Sequence, residues 1–189
     1  MTRTLRRLDA VDDVELGIRL LRGTPTNEGR DDAQLRRISI AAQRFGADLA
    51  ADHTEPADGA VVVERSGGDR SVVARYLPRR GRIELFTDTV AHCESVVARL
   101  GWTDRFPPGT VRAAAVLHER AHERITHRHA AELRAAVGVP ALRLGRWTRW
   151  AYVAGAEELA AHAYAGAVLG LPRSPLLITA AAMAAIEED

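Results

Sequence analysis

The sequence predicts a helix-dominated α+β domain with a small antiparallel sheet of about three strands. Three observations predict it. Apolar residues recur at helical spacing through the first fifty residues and again after residue 88. Alternating, Val-rich runs separated by turn residues fill 60–87. Ala accounts for 34 of the 189 residues and aromatics for only 5%, a composition that favours helices and cores built from small side chains.

Taken in order, residues 9–22 place Val11, Val14, Ile18 and Leu21 on one helical face, with acids early and Arg late, as suits the helix dipole. Gly23 to Asn27 stops that helix. A second helix fits 31–51, with Leu35, Ile38, Ala42, Phe45 and Leu49 aligned, and His53 to Gly59 reads as a polar, solvated link. Ala60–Glu64 and Arg70–Leu77 alternate on either side of the turn signal Ser66–Asp69. Arg82–Thr87 follows the Pro78–Gly81 turn as a third strand, completing a meander. Everything afterwards reads as helix. One covers 88–100, capped by Thr87 or Asp88. A long one runs from about 111, with Thr110 as N-cap, towards Gly138 and Pro140. Two more cover about 154–169 and 175–187. Trp147, Trp150 and Tyr152 either pack the connection before the third of these onto the core or line a cleft, where Tyr152 is a candidate oxyanion donor.

Composition narrows the function. At 47% hydrophobic the chain buries a real core. A net charge of +1 argues against nucleic acid or acidic lipid as the main partner. All 26 basic residues are Arg, which removes lysine Schiff bases and a P-loop lysine. Cys93 is the single cysteine, so neither a disulfide framework nor a cysteine-only zinc site is available. Its neighbour His92 projects about 100° away along the helix, a poor chelating pair. No apolar run approaches the ~20 residues that span a membrane, and Met1–Asp13 does not read as a signal peptide. The expectation is a soluble cytoplasmic protein.

The stretch that carries chemistry is His118-Glu119-Arg120-Ala121-His122, an H-E-x-x-H motif. Residues four apart on a helix lie one above the other, so both imidazoles reach a single metal ion. Neutral imidazole suits Zn²⁺, leaving room for a third protein ligand and a water. Glu119 sits one residue round the helix, beside the metal, where it can take a proton from bound water. The phase supports this reading over a solvated charged helix: Val111, Ala114, Ala115, His118, His122 and Ile125 share one narrow stripe.

For a third ligand, His129 shares the stripe, but seven residues along an intact helix is about 10 Å of rise. His127 points elsewhere, so both read as surface residues or as residues supporting the ligands from behind. Downstream, Glu158 and His162 stack at i, i+4 on one helical face, a carboxylate and an imidazole suited to ligand and supporting roles. A helix rotated by one residue would present Glu157 instead of Glu158.

H-E-x-x-H followed by Glu158-Leu159-Ala160-Ala161-His162-Ala163-Tyr164-Ala165 resembles the gluzincin-type zinc metallopeptidases, and most closely the small minigluzincins, including ImmA/IrrE-type proteins. The resemblance covers about 80–165. It implies a zincin-like fold and a zinc site of His118, His122 and Glu158. Glu119 becomes the general base, and His162 hydrogen-bonds a metal-binding His, where the family carries Asp or Asn. It also implies a protein or peptide substrate held by backbone pairing to the sheet's edge strand, here Ile83, Glu84, Leu85 and Phe86. One domain then spans 1–189. Residues 1–55 form an N-terminal helical extension, 60–170 the metal-binding core and 171–189 a C-terminal helix.

Two other readings stay open. Charged Arg120 and Glu123 beside the motif suit a regulatory zinc-binding module, and an Arg-rich helical or DNA-binding protein would make the motif accidental. Arg79, Arg80 and Arg82 flank the expected edge strand, where they either favour acidic peptides or shield the edge from aggregation.

Overall fold

A computed structural model describes residues 7–53, 60–67 and 71–187. Among these, seven α-helices surround one small sheet and a separate two-stranded hairpin. Part of the expected 53–59 link and part of the 66–69 turn lie outside the described residues.

Helix α1 (Asp13–Arg22) starts where the Asp12 side chain accepts from the Glu15 N–H at 2.7 Å, and it buries Leu16, Ile18 and Leu21. Helix α2 (Asp32–Ala50) opens with a capping box between Asp31 and Gln34, and buries Leu35, Ile38, Ala42 and Leu49. The two helices are tied by polar bonds as well as apolar contact. Ser39 Oγ donates to the Val14 carbonyl at 2.9 Å and Gln43 Nε2 to that of Asp13 at 3.0 Å. His53 is not solvated: its Nδ1 lies 2.5 Å from the hydroxyl of buried Tyr164.

The sheet comprises β1 (Val61–Arg65), β2 (Ala74–Leu77) and β3 (Arg82–Phe86), in the order β1-β3-β2. It is mixed rather than an antiparallel meander, because β1 runs parallel to β3 and only β2 is antiparallel to it. The strand expected at the edge, Ile83–Phe86, is therefore the centre. Its composition explains the exchange. Ile83 and Leu85 are fully buried, whereas Val61 is 66% exposed. The most apolar strand takes the position with two partners, and β2 is left with a free edge.

Helix α3 (Thr87–Arg99) leads to α4 (Thr110–Arg124), whose cap falls on Gly109 rather than Thr110. The expected long helix then continues through one π-helical turn (Ile125–His129) into α5 (Ala130–Val137). A hairpin that helical reading missed follows: β4 (Pro140–Leu144) pairs with β5 (Trp147–Trp150) across the two-residue loop Gly145-Arg146. Gly145 takes φ +55°, a conformation at no steric cost for glycine at the first position of such a loop. The hairpin projects from the body. Leu142, Leu144 and Trp147 are exposed, as is Tyr152 beyond it, so Trp147 and Tyr152 do not pack this connection onto the core. Helices α6 (Ala156–Val168) and α7 (Leu176–Glu187) complete the chain. No helix among the described residues is long and apolar enough to cross a membrane.

Helices α2 and α6 approach each other closely at Gly46. A Cβ added at Gly46 would lie 2.0 Å from the Ala160 carbonyl oxygen, which is backbone and cannot turn aside. Gly46→Ala would add about 1 kcal/mol of helix propensity. Forcing the helices apart costs more, so we expect a net loss of about 2 kcal/mol, read as a lower melting temperature. Gly29→Ala, whose Cβ enters open space, should leave melting within about 0.5 kcal/mol of wild type.

Candidate metal centre

Two helices build the site. The stripe of α4 turns His118 and His122 inward above buried Ala114 and Val111, beside buried Ala121. Helix α6 crosses opposite, its small residues Ala156, Ala160, Ala161 and Ala165 letting it lie close while Glu157, Glu158 and His162 reach towards α4. The cleft between them, about 470 Å³, is closed on one side by β2.

Three ligand atoms converge. His122 Nε2 lies 3.0 Å from His118 Nε2 and 3.2 Å from Glu158 Oε2, and His118 Nε2 lies 3.2 Å from Glu158 Oε1. One ligand atom from each of these three residues lies within 4.8 Å of the others, close enough for a single ion to reach all three. His118, His122 and Glu158 could therefore hold a metal ion.

Glu157 and Glu158 take different roles. Glu158 faces the shared Nε2 point, whereas Glu157 Oε1 meets His122 Nδ1 at 2.9 Å and accepts from Thr126 Oγ1 at 2.9 Å. That carboxylate fixes the tautomer and plane of His122 with Nε2 left for a ligand role. His162 is buried, but it contacts the carboxylate rather than hydrogen-bonding a histidine. Its Nε2 lies 3.4 Å from Glu158 Oε1, and its ring centroid is 4.4 Å from that of His118. The Nδ1 atoms of His118 and His162 have no hydrogen-bond partner among the described residues.

Glu119 lines the same cleft, and its Oε2 accepts the Tyr76 backbone N–H at 2.7 Å. The Tyr76 hydroxyl donates to Glu123 Oε1 at 2.8 Å, an acceptor that raises the phenol's pKa. Sequence reasoning missed Tyr76 because its role comes from strand position rather than from a motif. Ile83 to Phe86, paired on both sides, cannot offer backbone to a peptide, and the free edge at the cleft belongs to β2. Tyr152 does not line this cleft but a smaller one behind Glu157. His127 is exposed and His129 pairs with Glu132, both away from the ligand triangle.

Burial, foremost, lowers the pKa of His118. Burial also opposes charge on His122, but hydrogen bonds to Glu157 and Glu158 override it and raise that imidazole to about 10. Burial would raise Glu158, yet the His118, His122 and His162 imidazoles hold its carboxyl well below the usual carboxylate range. Glu157 is likewise lowered, first by His122.

Two outcomes are expected. Glu157→Gln should weaken divalent-metal affinity about 10–100-fold, measured by competition with a chromophoric chelator, with secondary structure unchanged. Metal binding at pH 8 should release about one proton, the one on His122, read by calorimetry in buffers of different ionisation enthalpy. In the metal-free protein the raised His122 pKa contributes stability that is full below the ordinary 6.5 and is lost as pH rises through about 10.

No protein-family model, no curated protein and no solved structure matches this chain.

Proposed function

We propose that the protein is a zinc-dependent endopeptidase of zincin-like, minigluzincin type, cutting an extended protein segment. The observation that supports it most is the meeting of the His118–His122–Glu158 triangle, the Glu119 carboxylate and the free edge of β2 in one cleft. A zinc ion held by the triangle supplies Lewis acidity to a water and to a peptide carbonyl. Glu119 receives the water's proton and returns it to the departing amine. Glu157 keeps His122 oriented, and the outer edge of β2, rather than Ile83–Phe86, aligns the substrate backbone beside Glu119.

A second reading, a regulatory module that binds zinc without turnover, is favoured by one contact. The Tyr76 N–H occupies Glu119, so the base is engaged until a substrate or a shift of β2 frees it.

Zinc analysis and peptidase assays separate these. Wild type should carry about one zinc per chain, and His122→Ala and Glu158→Gln should lose it. Glu119→Gln should retain zinc and fold but lose peptide hydrolysis by about 10²–10⁴-fold. Absence of zinc from metal-replete wild type would sink the metalloenzyme reading. Full metal with no hydrolysis of any denatured-protein substrate would select the regulatory module.

A further inference from the structure

The outward face of the sheet concentrates positive charge that the metal site does not use. Arg65, Arg75 and Arg82 all pair with the Glu84 carboxylate, at 2.8, 2.8 and 2.5 Å. The register brings them together: Arg75 lies directly opposite Glu84, and Arg82 precedes it by two residues on the same strand face. Glu84 is 2% exposed, and Arg75 foremost, then Arg65 and Arg82, holds its carboxyl down to about 2 against the burial that would raise it. One carboxylate cancels one guanidinium, so two positive charges stay uncompensated. Arg79 and Arg80, exposed on the turn after β2, add two more, and neither makes an ion pair among the described residues. These five arginines line one open groove, and Glu84 is the one acid in its wall among the described residues.

The groove adjoins the catalytic cleft, and Arg75 borders both. The free edge of β2 runs between them. Its Tyr76 N–H turns away from β3 towards Glu119, and its side chains alternate, Tyr76 towards α4 and Arg75 and Leu77 towards the groove. A strand added to this edge continues the alternation, with every second side chain on the arginine side. Guanidiniums there suit carboxylates, which they bind as charge-assisted pairs.

We propose that the segment this site takes is acidic: an extended peptide along Ala74–Leu77 whose alternate carboxylate side chains face Arg75, Arg79 and Arg80. This rests on the peptidase reading and adds the substrate class to it. Arg79 and Arg80 confer specificity at a distance from the reacting atoms, and Arg75 links their groove to the cleft.

The test uses two fluorescent heptapeptide pools, X-Glu-X-Glu-X-Glu-X and its Gln counterpart, titrated against zinc-loaded Glu119→Gln protein. The Glu pool should bind at least about tenfold more tightly, the difference should shrink with added salt, and Arg79→Glu/Arg80→Glu should abolish it while zinc content stays unchanged. Equal binding of the two pools, or no binding of either, overturns the acidic preference. Cleavage of both pools at equal rates by wild type would then leave the peptidase reading standing. Preference for the Glu pool with no cleavage by zinc-loaded wild type keeps the acidic ligand and removes the peptidase reading. Displacement of the Glu pool by single-stranded DNA at lower concentration than by unlabelled peptide would overturn the proposal in favour of nucleic acid.

Discussion

The close crossing of α2 and α6 is the constraint on which the site depends. Gly46 has no side chain, and the Ala160 carbonyl occupies the space where a Cβ would stand. A helix pressed this closely against another cannot rotate about its own axis without collision, because neighbouring side chains would meet backbone. The rotation of α6 decides which of two adjacent carboxylates faces α4. With Ala160 against Gly46, Glu158 points to the Nε2 atoms and Glu157 to the Nδ1 of His122. The N-terminal helices therefore belong to the structural frame of the metal centre, although they supply no ligand to it.

A second consequence is that the ligand triangle is assembled by apolar packing. Leu159, Ala160, Ala161 and Ala165 of α6 and Leu117 and Ala121 of α4 are buried in one continuous core, with Leu35, Ile38 and Ala42 of α2. The cost is electrostatic. Glu157 and Glu158 crowd against His118 and His122, and burial opposes charge on each of the four. Hydrogen bonds to Glu157 and Glu158 offset that penalty at His122 and raise its pKa. A cation held by His118, His122 and Glu158 would supply neutralising charge at the Nε2 side, with Glu157 placed at Nδ1.

Much of this was legible in the sequence, and the parts that were not share a cause. Helix positions and the inward phase of His118 and His122 follow from local periodicity, which each segment carries by itself. The pairing of Glu157 and Glu158 with different atoms of His122 was not readable, since the two project about 100° apart and the rotation of their helix, which local periodicity leaves open, decides which one faces the Nε2 atoms. The strand order was misread because Ser66–Asp69 looks like a hairpin turn, whereas non-local burial of Ile83 and Leu85 places β3 at the centre. The β4–β5 hairpin was overlooked for the opposite reason. Leu142, Leu144 and Trp147 alternate around Gly145-Arg146 as a hairpin should, but the surrounding run of helices outweighed that short signal.

The strand order also changes what the sheet is for. Had β3 been the edge, Glu84 would lie beside the substrate, and its carboxylate would sit in the binding path. In the centre it serves instead as the shared anchor for Arg65, Arg75 and Arg82. Arg75 is thereby fixed on β2, the strand that does border the cleft. The same exchange puts the Tyr76 N–H in front of Glu119. On the peptidase reading proposed above, a substrate carbonyl that took the Tyr76 N–H would align the backbone and release Glu119 in the same step, so substrate alignment and availability of the base would be coupled through one hydrogen bond at the edge of the sheet.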